Sequence, residues 1–145
     1  DGTEVAGLSA EDVATEAAEI IVAATVAAVM TALGAWVFLA PNSDTGQQYL
    51  LPQDVPVLYR ALIAFMLSLF AAMYAWMATQ SLVPRPLLWV GAIGKGGAFL
   101  TVLALFSTSL VPFDQVSMMV GDAILSAIWF GWLFRNRKSN VAKAE

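Results

Sequence analysis

The chain has 145 residues, 59% hydrophobic and 12% charged, with a formal net charge of −4 and a mean hydropathy of +0.73. A globular domain carries about 25% charged residues, and a chain this short cannot hide so much apolar surface in one core, so a soluble domain is excluded and a bilayer-spanning one expected. The absence of Cys and His removes disulfides, thiolate nucleophiles, zinc sites, His-ligated haem and imidazole acid–base chemistry, and the acidic balance gives no reason to expect a nucleic-acid partner.

Residues 1–12 are polar and acidic. They lack the basic start of a secretory signal, so no cleavable leader is expected, and the start at Asp1 rather than Met is compatible with a trimmed natural N-terminus. Ser9 with Asp12 three residues on reads as an N-cap with an acid in the first turn, which predicts a helix from about Ala10. The first span is expected over 19–40. Its small residues Ala23, Ala24, Ala27, Ala28 and Gly34 favour close helix approach in lipid, and Pro41, Asn42, Ser43, Asp44 and Gly46 end it. Residues 41–56 are expected to form a loop resting partly on the membrane surface. The second span is expected over 57–79, with Arg60 in its first turn. A tight connection with Pro84 and Arg85 leads to a third span over 86–106, where Pro86 suits the first turn and Lys95 lies inside. Pro112 breaks the chain before a fourth span over 114–134, with Asp122 inside and a polar tail at 135–145. The expected fold is all-α: an integral membrane four-helix bundle forming a single transmembrane domain.

Arg85, Arg135, Arg137, Lys138 and Lys143 fall on one side of these spans and Arg60 alone on the other. The bias of basic residues therefore predicts that both termini are cytoplasmic. Helical spans rather than a barrel predict the inner (cytoplasmic) membrane, crossed several times. Trp76, Trp89 and Trp132 belong near the cytoplasmic surface, and Trp36, Tyr49, Tyr59 and Phe113 near the opposite one. No solenoid repeat is visible, and the two helix pairs do not match in their charged positions as inverted transporter halves would.

Arg60, Lys95 and Asp122 are the ionisable residues within or at the edge of the spans, where a charge costs a few kcal/mol and usually faces inward to a partner. At a rise of 1.5 Å per residue, Arg60 lies about 5 Å, Asp122 about 12 Å and Lys95 about 17 Å from the non-cytoplasmic surface. These depths predict a cluster with Asp122 in the middle, tying spans two, three and four together. Around Lys95 the sequence Gly91-Ala-Ile-Gly-Lys-Gly-Gly-Ala98 marks close helix contact or open space beside the ammonium. It does not match a phosphate-binding loop, since no strand precedes it and the spacing is wrong. Three readings stand: a structural ion pair that fixes helix register, a site for an anionic ligand or a proton, or a Lys95 that simply snorkels to the surface. Gly91, Gly94, Ser126 and Trp129 are candidate lining residues, and Ser68 and Tyr74 on the second span are further ones. Met66, Met73, Met118 and Met119 read as packing residues. No metal and no cofactor are expected.

The segments Leu58-Tyr-Arg60, Pro86-Leu-Leu-Trp-Val-Gly-Ala-Ile-Gly-Lys95 and Gly121-Asp-Ala-Ile-Leu-Ser-Ala-Ile-Trp129 resemble a group of small bacterial four-helix membrane proteins, mostly without assigned activity, whose layout the DoxX-like proteins share. The resemblance covers spans two to four. It implies that an Arg opening the second helix, a Gly-Lys pair in the third and an Asp followed by aromatics in the fourth are group features. Gly121 departs from the Asn that often precedes the acid in that group. The resemblance carries no activity.

The leading functional expectation is an accessory or structural subunit of a membrane complex or homo-oligomer. Its partners would be the lipid bilayer and either other membrane polypeptides or further copies of the chain, packed on the small-residue faces of spans one and three. The alternative is a small transporter, or a protein binding a lipid, quinone or anionic ligand, that uses Arg60, Lys95 and Asp122. An enzyme is not favoured: it would need Asp122 as acid or base with Lys95 as electrostatic stabiliser. A retinal Schiff base on Lys95 is set aside because four spans are too few to enclose that chromophore.

Overall fold

The computed structural model describes residues 10–48, 51, 53–80 and 84–136. The expectations placed on Ser9, Tyr49, Arg137, Lys138 and Lys143 fall outside them. The elements are α1 (Ala10–Leu39), α2 (Asp44–Gln48), α3 (Val57–Ala78), α4 (Arg85–Ser107), α5 (Phe113–Met118) and α6 (Val120–Arg135), with no strand among the described residues. Four stretches are long and apolar enough to cross a bilayer: Ala17–Leu39, Val57–Ala78, Arg85–Ser107 and Phe113–Arg135, the last built from α5 and α6. This is the make-up of a multi-pass membrane protein.

Prolines set three of the helix starts. Pro56, Pro84 and Pro112 stand immediately before α3, α4 and α5, where a ring with fixed φ and no N–H costs nothing. The end of α4 is closed by the backbone. Leu110 N–H donates to the Leu105 carbonyl at 3.0 Å and Ser109 N–H to Phe106 at 2.9 Å, with Ser109 in the left-handed region at φ 59°. That is the Schellman arrangement, with a serine where glycine is usual.

Two local expectations are corrected. The connection expected as a loop contains α2: the Ser43 hydroxyl accepts from Gly46 N–H at 3.1 Å and donates to the Ala40 carbonyl at 2.6 Å, which caps a short helix. A side chain at Gly46 would strike the Pro41 carbonyl. The fourth span is not one continuous helix but is interrupted at Met119. There Met119 N–H donates to Val116 at 3.1 Å and Asp122 N–H to Met119 at 3.0 Å, bonds that reach back three residues and tighten the turn.

The helices form two closely packed pairs, α1 with α3 and α4 with α6, joined more loosely along the α1–α6 and α3–α4 seams. On α1 the buried Ile20, Ala24, Ala27 and Thr31 recur at alternating spacings of four and three, the interval that keeps one stripe against a neighbouring helix. The small-residue face of α1, expected to serve a partner, is therefore used inside the chain. The usual size distribution is inverted: Ala24, Ala27 and Ala92 are wholly buried, while Val22, Leu33, Phe65 and Leu100 are each more than half exposed. In water that surface would be a severe aggregation liability. In hydrocarbon, large side chains outside cost nothing, and small ones inside give the backbone contact that holds the bundle. Exposed Trp36 and Tyr59 mark one end of the bundle, and Trp76 and Trp89 the other, as interfacial aromatic belts do.

Candidate functional site

The site is built on the glycines of α4. A Cβ on Gly91 would lie 2.9 Å from Trp129 Cζ3 and 3.1 Å from Tyr74 Cε1, and one on Gly96 would lie 2.6 Å from Ser126 Oγ. These two positions let α6 and α3 close onto α4. Gly94 faces α3 at ordinary distance, 3.7 Å from Phe70 Cε1 and 3.8 Å from the Tyr74 hydroxyl, and Gly97 has nothing within 4 Å. Of the two roles expected for the glycines, Gly91 and Gly96 take the first, close contact.

Lys95 projects from this segment into the interior. Its Nζ donates to Asp122 Oδ1 at 2.7 Å and to Thr31 Oγ1 at 3.0 Å, and lies 5.6 Å from the centre of the Tyr74 ring. An ammonium has three protons, and here α6, α1 and α3 each supply one partner, the last through the ring's negative face. The Lys95 and Asp122 side chains are only 8% and 14% exposed. Asp122 also lies in the first turn of α6, where the helix dipole favours an anion. One turn further on, Ser126 Oγ donates to the Ala92 carbonyl at 2.8 Å, a second polar tie between α6 and α4. Trp129 is fully buried with its ring 5.4 Å from that of Tyr74, and its indole N–H finds no acceptor.

Arg60 does not join this group. It stands beside Phe38 and Pro41 at the far end of α1, in a separate recess, whereas Thr31, which meets Lys95, lies about 10 Å back along α1. The expected cluster of three is corrected to a Lys95–Asp122 pair completed by Thr31. The counted depths already set Arg60 about 12 Å from Lys95; the side chains do not close that gap, and Arg60 packs against the end of α1 and its connection instead. Ser68 is also not a lining residue, since its hydroxyl donates to the Ala64 carbonyl of its own helix at 2.8 Å.

Sequence reasoning missed Thr31, although a signal existed. It continues the 20-24-27-31 stripe of α1, so a hydroxyl occurs at a position otherwise held by buried apolar residues. Tyr74, named only as a possible lining residue, supplies the ring beneath the ammonium. Arg85 gained no role from the sequence beyond its charge. Its Nη1 donates to the Asn136 carbonyl at 2.7 Å, and its guanidinium lies 5.8 Å from the Trp132 ring, so it closes the C-terminus of α6.

An apolar groove of about 680 Å³ lies between α1 and α6, lined among others by Ala18, Val22, Val26, Met30, Ile124 and Ile128. Neither this groove nor the Arg60 recess is lined by Lys95 or Asp122. Among the described residues no three carboxylates gather as they would to hold a metal ion. Comparison with protein-family models, curated proteins and solved structures finds no match to this chain, so nothing in it bears on the DoxX-like resemblance.

Proposed function

We propose that the chain is a non-catalytic, multi-pass subunit of an inner-membrane assembly, formed with other membrane polypeptides or with further copies of itself. In this reading both termini are cytoplasmic, and Lys95–Asp122 is an internal clasp. The observation that carries it is the contrast between interior and exterior. The ammonium is engaged by Asp122, Thr31 and Tyr74, and neither the groove between α1 and α6 nor the Arg60 recess is lined by it, while that groove is apolar and lies on the outside of the bundle. Transport or catalysis at Lys95 would need a route for a ligand to displace those partners. Assembly needs only the apolar exterior, where packing and shape hold helices together.

Native mass spectrometry of protein extracted gently from its own membrane tests this. The expected result is a stoichiometric assembly with other polypeptides or further copies. A bare monomer in every mild detergent contradicts the proposal. Orientation is tested with single cysteines, since the chain has none. Gln53→Cys is expected to react with an impermeant maleimide on intact cells and Gln80→Cys only after lysis; the reverse pattern overturns the cytoplasmic placement of the termini.

A further inference from the structure

Among the described residues Arg60 has no ion-pair partner. Its Nε is buried and has no acceptor, and neither Asp44 nor Asp54, both exposed in the connection between α1 and α3, pairs with it. A charged group without a partner is costly where water is partly excluded, and because the residue as a whole is only half-buried its guanidinium is open to an acceptor from outside. The recess around it measures about 220 Å³ and is otherwise apolar, walled by Phe38, Pro41, Leu51, Val55 and Ile63. That is below the roughly 300–1,000 Å³ of sites for drug-sized ligands. Its roof is held by the chain itself: Gln53 Nε2 donates to the Pro41 carbonyl at 3.2 Å and to Leu51 at 2.9 Å.

The level of the recess narrows the ligand. Arg60 lies one turn inside α3, next to Tyr59 (59% exposed) and at the same end of the bundle as Trp36 (50% exposed), at the depth of lipid headgroups. One turn deeper, Ile63 is exposed, so the apolar wall of the recess continues onto the outer surface of a helix apolar enough to cross a bilayer. We infer that the recess holds the phosphate of an anionic phospholipid, with the guanidinium on the phosphodiester oxygens and the first methylenes of the lipid against Phe38, Leu51 and Ile63. A free phosphate would have to shed its water against apolar walls for a single cation. A choline headgroup would bring its own ammonium next to the guanidinium. The inference is independent of the subunit reading, because it concerns the opposite end of α3 from Gln80 and a residue the clasp does not use.

The test is native mass spectrometry of the detergent-solubilised protein with an equimolar mixture of phosphatidylglycerol and phosphatidylcholine of identical chains. The wild type is expected to retain one phosphatidylglycerol in at least tenfold preference. Arg60→Gln is expected to abolish the preference and Arg60→Lys to keep part of it. Ile63→Trp, which fills the recess and leaves the charge, is expected to abolish it too. Arg135→Gln, at the other end of the bundle, is expected to leave it unchanged. Equal retention of the two lipids by the wild type, or a preference that survives Arg60→Gln, overturns the inference. An adduct of inorganic phosphate, added alone, that replaces the lipid overturns the lipid assignment as well.

Discussion

Lys95 and Arg60 are both cations carried on apolar helices, and the bundle treats them in opposite ways. Lys95 sits in the middle of α4 and receives a partner from each of α1, α3 and α6. Arg60 sits one turn from the end of α3, and its buried Nε receives none. Depth explains the difference. A charge near the bilayer midplane has no water within reach and must be neutralised by the protein, whereas one at the rim can draw on headgroups and interfacial water. Arg85 is a third case: at the opposite rim it is satisfied by backbone carbonyls at the end of α6. The depth of a charge thus indicates whether its partner belongs to the chain or can come from the membrane.

This comparison can be broken first at Lys95. Lys95→Met leaves Asp122 buried and unpaired, and removal of one partner from a buried pair costs about 3–5 kcal/mol. The expected result is a large loss of stability in reversible unfolding from detergent micelles. Arg60→Gln, which removes a charge with no ion-pair partner among the described residues, should cost under about 1 kcal/mol in the same assay. Near-equal losses at the two positions would remove the distinction.

The glycines sharpen it next. Gly91→Ala places a methyl group 2.9 Å from Trp129, an overpacking expected to cost about 1–3 kcal/mol. Gly97→Ala, with open space around it, should be neutral or slightly stabilising. Similar effects at both positions would show that the close approach of α6 to α4 is not set by Gly91. Smaller still, Ser126→Ala and Thr31→Val each remove one interhelical hydrogen bond, for which about 0.6 kcal/mol is typical between membrane helices. The smallest effect is expected at the rim, where Ser109→Gly relieves a left-handed serine at the end of α4 and should raise stability by a few tenths of a kcal/mol.

The helices were legible because hydrophobic length and punctuation agree: Pro41, Pro56, Pro84 and Pro112 bracket apolar runs whose interiors hold few charges. Depth along each helix can be counted, and it places Lys95 and Asp122 at compatible levels. It also sets Arg60 about 12 Å from Lys95, a gap the side chains do not close, and Arg60 meets the end of α1 and its connection instead. Thr31 was overlooked because threonine in a membrane helix commonly bonds its own backbone, as Thr25 and Thr101 do here. The break at Met119 left no mark either, since neither proline nor glycine occupies the position and the distortion is carried by the backbone alone.

The central claim is that Lys95 and Asp122 stabilise the bundle as a unit, with no ligand between them. A double-mutant cycle in detergent unfolding with Lys95→Met, Asp122→Leu and the combined variant tests it most directly. The account predicts that each single substitution is strongly destabilising and that the double variant recovers most of the loss, because two apolar side chains replace both members of a buried ion pair and leave neither charge uncompensated. Additive losses in the double variant, or single variants that unfold like the wild type, would contradict it.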